Sequence, residues 1–248
     1  MTITTRRPAT APPRLDLLRS ALFLDLDGTL APIAPRPQDV GPDPRRTAVL
    51  KRLVADMGGR IAILSGRTLA EIDHILEGVV TPAAGVHGLE RRGLDGQRAP
   101  VTPDAALPAA IQAFRRLAAS ASGLLVEDKG LSVALHYRQA PQAGEAALAL
   151  AREIAETSGL ALQPGHMVVE LRTPGADKGQ ALAGFMAEPP FTGARPVFVG
   201  DDLTDEPAFA AADLAGGHGI LVGPERNTAA RFRLDDVNAV LDWLEAAL

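Results

Sequence analysis

The chain has no cysteine among its 248 residues, which excludes a disulfide framework, a zinc-thiolate centre and a cysteine nucleophile. It has no apolar stretch near the roughly 18 residues a bilayer-crossing helix needs, so no membrane partner is expected. It lacks an excess of positive charge. The formal net charge is -5, which argues against a nucleic-acid partner held on a broad basic face. It is also nearly without lysine: only Lys51, Lys129 and Lys178 interrupt a chain that otherwise uses arginine. What remains is an ordinary globular composition, 46% hydrophobic and 22% charged, long enough for one large domain or two small ones. The beginning, MTITTRRPATAPPR, is basic and proline-rich without the apolar core of a secretory signal. A flexible arm over residues 1–18 and a cytoplasmic location are expected, with a transit peptide as the alternative.

Ala21 to Leu30, ALFLDLDGTL, organises the rest. The run Ala21-Leu22-Phe23-Leu24 does not alternate, which suits a strand covered on both faces in a parallel sheet. Gly28 ends it. Asp25 and Asp27 are two apart, so on an extended path they point the same way, toward the edge where open α/β sheets bind ligands. Two carboxylates there repel each other and attract a cation, and hard oxygens suit Mg²⁺. Asp-Gly-Thr is equally ordinary turn chemistry, so the stretch alone leaves a plain strand and turn open.

Further along, Pro44 to Met57 has a helical face, Arg60 to Leu64 reads as a second strand ending in Ser65-Gly66-Arg67, and Leu69 to Leu76 as a helix. A third strand is expected over Val79 to Val86, before His87-Gly88-Leu89-Glu90. This β-α-β-α-β rhythm is that of a doubly wound parallel sheet. Near Arg91 the pattern changes. Helices at Ala105 to Ala119 and Gln142 to Thr157 accompany strands at Leu124 to Val126, Leu131 to Arg138 and Met167 to Leu171. The short turn through Glu127-Asp128-Lys129-Gly130 implies an antiparallel hairpin. An α+β domain inserted over residues 99–173 is therefore expected, splitting a core of residues 19–98 and 174–248. In the second core segment, Asp177 caps a helix to Met186 and Pro196 to Val199 is a strand before Gly200-Asp201-Asp202. Short strands are expected at Asp213 to Ala215 and Gly219 to Val222, and a closing helix from Asp236.

The signatures DLDGT, SGR, ADKG and GDDLTD, in that order, resemble those of the haloacid-dehalogenase superfamily of phosphohydrolases, with a Rossmann-like core. The resemblance implies Asp25 as nucleophile, since a carboxylate is already ionised at neutral pH and its acyl phosphate is labile. Asp27 would be the general acid and base. Mg²⁺ would be held by Asp25, Asp27 through its carbonyl, and Asp201, with Asp202 and Asp205 in support. Helix capping remains open for Asp202 and Asp205. Ser65 and Gly66 would bind phosphate, and Lys178 would balance its charge. The segments GVHGLE, VEDKGLSVALHYRQAP and GHMVVELRTPGADKG are similar to those of the trehalose-6-phosphate phosphatases. That similarity implies a small-molecule sugar phosphate as the partner, with Glu127, Lys129, Arg138 and Glu170 contacting the sugar. His87 is a further substrate-side candidate, equally readable as a loop histidine. Another capped phosphatase, for sucrose phosphate or a hexose phosphate, and a phosphomutase are the alternatives. A monomer is expected.

Overall fold

The computed structural model describes residues 7–8, 11–99, 101–165 and 167–248. The chain divides into two compact units: residues up to Ala99 together with Ala176–Leu248, and the intervening stretch to Gly175.

The first unit is built around Ser20–Leu24 (β1), buried along its whole length. Successive side chains go to opposite faces, Leu22 and Leu24 into one apolar layer and Ala21 and Phe23 into the other. That is why the run shows no alternation. Pro44–Asp56 (α1), Ile61–Leu64 (β2), Leu69–Leu76 (α2) and Ala83–Gly85 (β3) follow. α1 begins where Asp43 accepts from the Arg46 amide and Pro44 takes a position that needs no amide donor. α2 begins with a reciprocal capping box between Thr68 and Glu71. Glu90–Arg92 (β4) turns back antiparallel on β3.

The first unit resumes with Lys178–Met186 (α5), Arg195–Gly200 (β9), Glu206–Leu214 (α6), His218–Val222 (β10), Phe232–Leu234 (β11) and Val237–Glu245 (α7). Its sheet runs β11-β10-β9-β1-β2-β3-β4, parallel except at β4. One apolar layer joins the sheet to residues of α1, α2 and α7. The other joins it to α5 and α6 through Leu182, Phe185, Phe209 and Ala212. β1 lies where the strand order reverses, with β2 on one side and β9 on the other. In such sheets a crevice opens at the carboxyl end of that strand. The chain leaves β1 there at Asp25.

The second unit carries Leu107–Ser120 (α3), Leu125–Asp128 (β5), Ser132–His136 (β6), Gly144–Ser158 (α4), Ala161–Gly165 (β7) and Val168–Arg172 (β8). Its antiparallel sheet has the order β5-β6-β8-β7. Val133, Leu135, Val169 and Leu171 face an apolar core shared with Phe114, Ala147 and Ala151 of the two helices.

Several local expectations are corrected. Asp213 and Leu214 end helix α6 instead of forming a strand, because Ala208, Phe209 and Ala212 have helical spacing and bury one face. The third strand starts at Ala83, beyond Pro82, not at Val79. β4, β7 and β11 are additional. All three are edge strands, β4 with the polar sequence ERR, β7 containing Pro164 and β11 only three residues long, so none has the apolar signature of a central strand. Residues 1–6 and 9–10 of the expected arm lie outside the described residues. Its second half is not free: Leu15 is buried in the core and the Pro13 carbonyl accepts from the Trp243 indole at 2.9 Å. No helix among the described residues is long and apolar enough to cross a membrane.

Candidate active site

Asp25, Asp27, Asp201, Asp205, Arg67 and Lys178 gather beyond the carboxyl ends of β1, β2 and β9. Asp25 follows β1, its amide bonded to the Val199 carbonyl of β9 at 2.9 Å. Lys178 opens α5, whose N-cap Asp177 accepts from the Gln180 amide. Its ammonium reaches Asp25 Oδ1 at 2.7 Å and Asp205 Oδ1 at 2.6 Å, all three side chains being buried. Carboxylate oxygens of Asp25, Asp201 and Asp205 lie within 4.8 Å of one another.

This cluster is short of positive charge. Burial pushes the Asp25 carboxyl up to about 7, with Lys178 opposing the rise and Asp205 adding to it. Burial pushes Asp201 up to about 9, reinforced by Asp25 and Asp205. Lys178 is the reverse case: burial would lower it, but Asp205 and Asp25 outweigh that and hold it charged. One ammonium therefore faces two buried acids and the half-buried Asp201, an arrangement a divalent cation completes. Two further observations fit a hard cation. Asp201 Oδ1 is buried without a hydrogen-bond partner among the described residues. Gly28, at φ +82°, leaves room for the same carboxylate, since a Cβ there would lie 2.2 Å from Asp201 Oδ2.

The acids divide their work differently from the simplest reading of GDDLTD. Asp202 turns its carboxylate to the Leu203 amide at 2.7 Å, capping the 3-10 turn Leu203–Asp205. Asp205 is wholly buried, holds Lys178 through one oxygen and accepts from the Asp202 amide through the other. Asp27 is engaged with Arg67, whose Nε and Nη2 donate to its two oxygens at 2.7 and 2.8 Å. Ser65 is buried beyond β2, and its hydroxyl accepts from the Arg67 amide at 3.2 Å. Gly66 lies against the His87 ring, where a Cβ would come within 2.8 Å. His87 and the preceding Val86 both have positive φ, 56° and 46°. Conformations so unfavourable to side chains are kept where surrounding bonds enforce them: the Val86 amide donates to the Arg67 carbonyl and the His87 amide to that of Ser65.

In the second unit, Glu127, Ala134 and Glu170 share one rung of the sheet, and His136 is two residues along β6 on the same face. His136 Nε2 lies 2.8 Å from Glu127 Oε2, and Lys129 Nζ lies 3.3 Å from Glu170 and 3.8 Å from Glu127. Burial would raise the Glu127 carboxyl, but His136 and Lys129 outweigh it and hold it below the usual range. Tyr137 packs on the core side instead, its ring against Gly144. Arg138 follows the end of β6.

Sequence reasoning missed three supports. Arg67 was visible only as part of SGR, and its partner is 40 positions away. Arg226 donates to the carbonyls of Asp201 at 3.3 Å and Asp202 at 3.0 Å while pairing with Glu206, which also receives the Ala229 amide at 2.7 Å. No local pattern signals either contact. Gly28 reads as a strand breaker, whereas its tertiary role is to admit Asp201.

The strand order, with acids after the switch-point strand and after β9 and a buried lysine opening α5, is that of the phosphatases of the haloacid-dehalogenase superfamily. The family model described as trehalose-phosphatase matches residues 23–238. The chain is 42% identical over 240 residues to the trehalose-6-phosphate phosphatase of Escherichia coli (strain K12), covering 96% of this chain and 90% of that protein. A crystal structure of a trehalose-6-phosphate phosphatase related protein aligns with a TM-score of 0.73 at 28% identity, covering 91% of this chain and 95% of the other. The C-terminal domain of C. albicans trehalose-6-phosphate phosphatase shares the fold, with a TM-score of 0.83 at 22% identity and 98% of each chain covered. The chain belongs to the trehalose-phosphatase family.

Proposed function

We propose that this chain hydrolyses trehalose 6-phosphate to trehalose and phosphate through an aspartyl-phosphate on Asp25. The observation that carries the chemistry is the buried Asp25–Lys178–Asp205 chain at the switch-point strand, and the substrate follows from family membership. Asp25 attacks phosphorus, forming a carboxyl O–P bond as the ester O–P bond breaks. Asp27 gives a proton to the departing sugar oxygen. It then takes one from the water that cleaves the acyl phosphate, which regenerates Asp25. Ser65 and Gly66 hold phosphoryl oxygens, and Lys178 offsets negative charge on phosphate and nucleophile. Mg²⁺ is the cation the donor set suits, with Asp25, Asp201 and the Asp27 carbonyl as its ligands. When bound, it supplies positive charge between two anions that otherwise repel.

Residues 19–98 and 174–248 act as the catalytic core and residues 99–173 as the specificity cap. In that cap Glu127, Lys129, Arg138 and Glu170 receive the sugar hydroxyls, and the face that Glu127 and Glu170 share with His136 is the polar side of the sheet. His87 lines the substrate side of the phosphate loop. The enzyme acts as a cytoplasmic monomer.

Phosphate release across a sugar-phosphate panel, with and without chelator, tests the proposal. Turnover should be at least about tenfold higher in kcat/KM for trehalose 6-phosphate than for glucose 6-phosphate or sucrose phosphate, the scale of one good polar discrimination. Chelator should abolish it. Equal rates on glucose 6-phosphate and trehalose 6-phosphate would remove the disaccharide assignment, and a phosphoryl group retained on the product sugar would make the chain a mutase.

A further inference from the structure

One charged side chain at the site is still without a task. Arg67 is buried beside the catalytic acids, its side chain 8% exposed. Its Nε and Nη2 grip both oxygens of Asp27, and its Nη1 donates to the Pro37 carbonyl at 2.8 Å and to Glu71 Oε1 at 3.1 Å. Four of the five guanidinium protons are thereby assigned. The partners are themselves fixed. Glu71 is held by the amide and hydroxyl of Thr68 at 2.9 and 2.7 Å, in the capping box that starts α2. The root of Arg67 is fixed as well: its amide donates to Ser65 Oγ, and its carbonyl receives the amide of strained Val86. A guanidinium tied at its base and on its outer edge has little freedom. Whatever it grips inherits that rigidity.

A solvent-exposed ion pair would need none of this. A bidentate fork fixes both the direction and the plane of a carboxylate, which a point charge such as lysine does not. We infer that Arg67 is the positioning residue of Asp27, transmitting the fixed geometry of the α2 cap to the carboxylate that gives and takes the proton. This rests on the acid-base reading of Asp27. Arg67 acts through Asp27 and does not itself touch the reacting atoms. Its contribution belongs to the proton-transfer step, so it is confined to substrates whose leaving group needs a proton.

The test compares Arg67→Lys, Asp27→Asn and the double variant on trehalose 6-phosphate and on p-nitrophenyl phosphate, whose leaving group departs unaided. Misorienting an acid costs on the order of 10²-fold in rate. Arg67→Lys is expected to lose about that in kcat on the sugar ester with KM nearly unchanged, and less than about tenfold on the aryl ester. Adding it to Asp27→Asn should cost nothing further, because residues acting as one unit are not additive. Glu71→Gln, which loosens the clamp while leaving Arg67 and Asp27 in place, should show the same substrate selectivity at smaller amplitude and guards against a misfolded Arg67 variant. Losses that multiply in the double variant, or equal losses on both esters in Arg67→Lys and Glu71→Gln while Asp27→Asn still discriminates, would overturn the inference alone. If Asp27→Asn itself fails to discriminate, the acid-base reading of Asp27 falls and the inference falls with it.

Discussion

Gly28→Ala is the substitution whose effect is most directly worked from the geometry. The new Cβ would sit 2.2 Å from Asp201 Oδ2 and 2.5 Å from its Cγ, at a backbone φ of +82°. Ordinary contact begins near 3.4 Å, so Asp201 must retreat by about 1.2 Å. Two costs follow, and they separate. Alanine in the left-handed region costs about 1–2 kcal/mol of stability, worth a few degrees in melting temperature for a chain of this size. A displacement of about 1 Å in a catalytic constellation costs on the order of 10²-fold in rate, about 2.7 kcal/mol of transition-state stabilisation. The expected result is therefore a folded protein, slightly less stable, with kcat/KM reduced about a hundredfold and a weakened response to added Mg²⁺. Gly193→Ala is the matched control: it has the same φ of +82°, but a Cβ there meets nothing within 4 Å among the described residues. It should show the stability loss without the activity loss. Kinetics across a Mg²⁺ titration, with thermal melts of both variants, make the measurement. Undiminished activity and cation response in Gly28→Ala would refute the placement of Asp201 at the cation site, and equal activity losses in both variants would refute the argument from proximity.

Asp25 and Asp201, raised to about 7 and about 9, bind more protons folded than unfolded, where each would titrate near 3.8. Their favourable contribution is thus complete below about pH 4 and is lost as pH rises through 7 to 9. Melts in chelator should show stability falling from pH 6 to pH 9, and Mg²⁺ should restore more at the higher pH; a restoration independent of pH would contradict the shared site. In the second unit, Glu127→Ala removes the carboxylate that His136 and Lys129 hold. It should lower kcat/KM on trehalose 6-phosphate by about 10²-fold or more while sparing p-nitrophenyl phosphate, and a uniform loss on both would place Glu127 outside sugar recognition.

The legible parts of the fold were those whose causes are local. α2 was readable from Leu69 to Leu76 because the apolar spacing of Leu69, Ile72 and Leu76 is a local pattern. The same holds for Asp177 at the head of α5 and for the hairpin of β5 and β6. Polar edge strands β4 and β7 were not legible, because their partners supply the reason they are extended. The helical start of α6 was hidden behind GDDLTDEP, where a proline following an acidic loop reads as a breaker although it occupies the first turn.

At the candidate site the division is similar. The sequence alone determined that carboxylates, a hydroxyl and a rare lysine stand at the ends of apolar strands or the start of a helix, because strand burial and capping are written within a few neighbouring residues. Only the tertiary structure decided how those groups share charge. Asp205 and not Asp202 joins Asp25 around Lys178, Asp27 is claimed by Arg67, and Gly28 is small because Asp201 lies against it. Electrostatic partners are chosen by distance in space, and the fold brings Lys178 to Asp25 across 153 positions of sequence. A linear pattern can nominate the charged groups, but the pairing that tunes each one exists only once β1, β2 and β9 lie side by side.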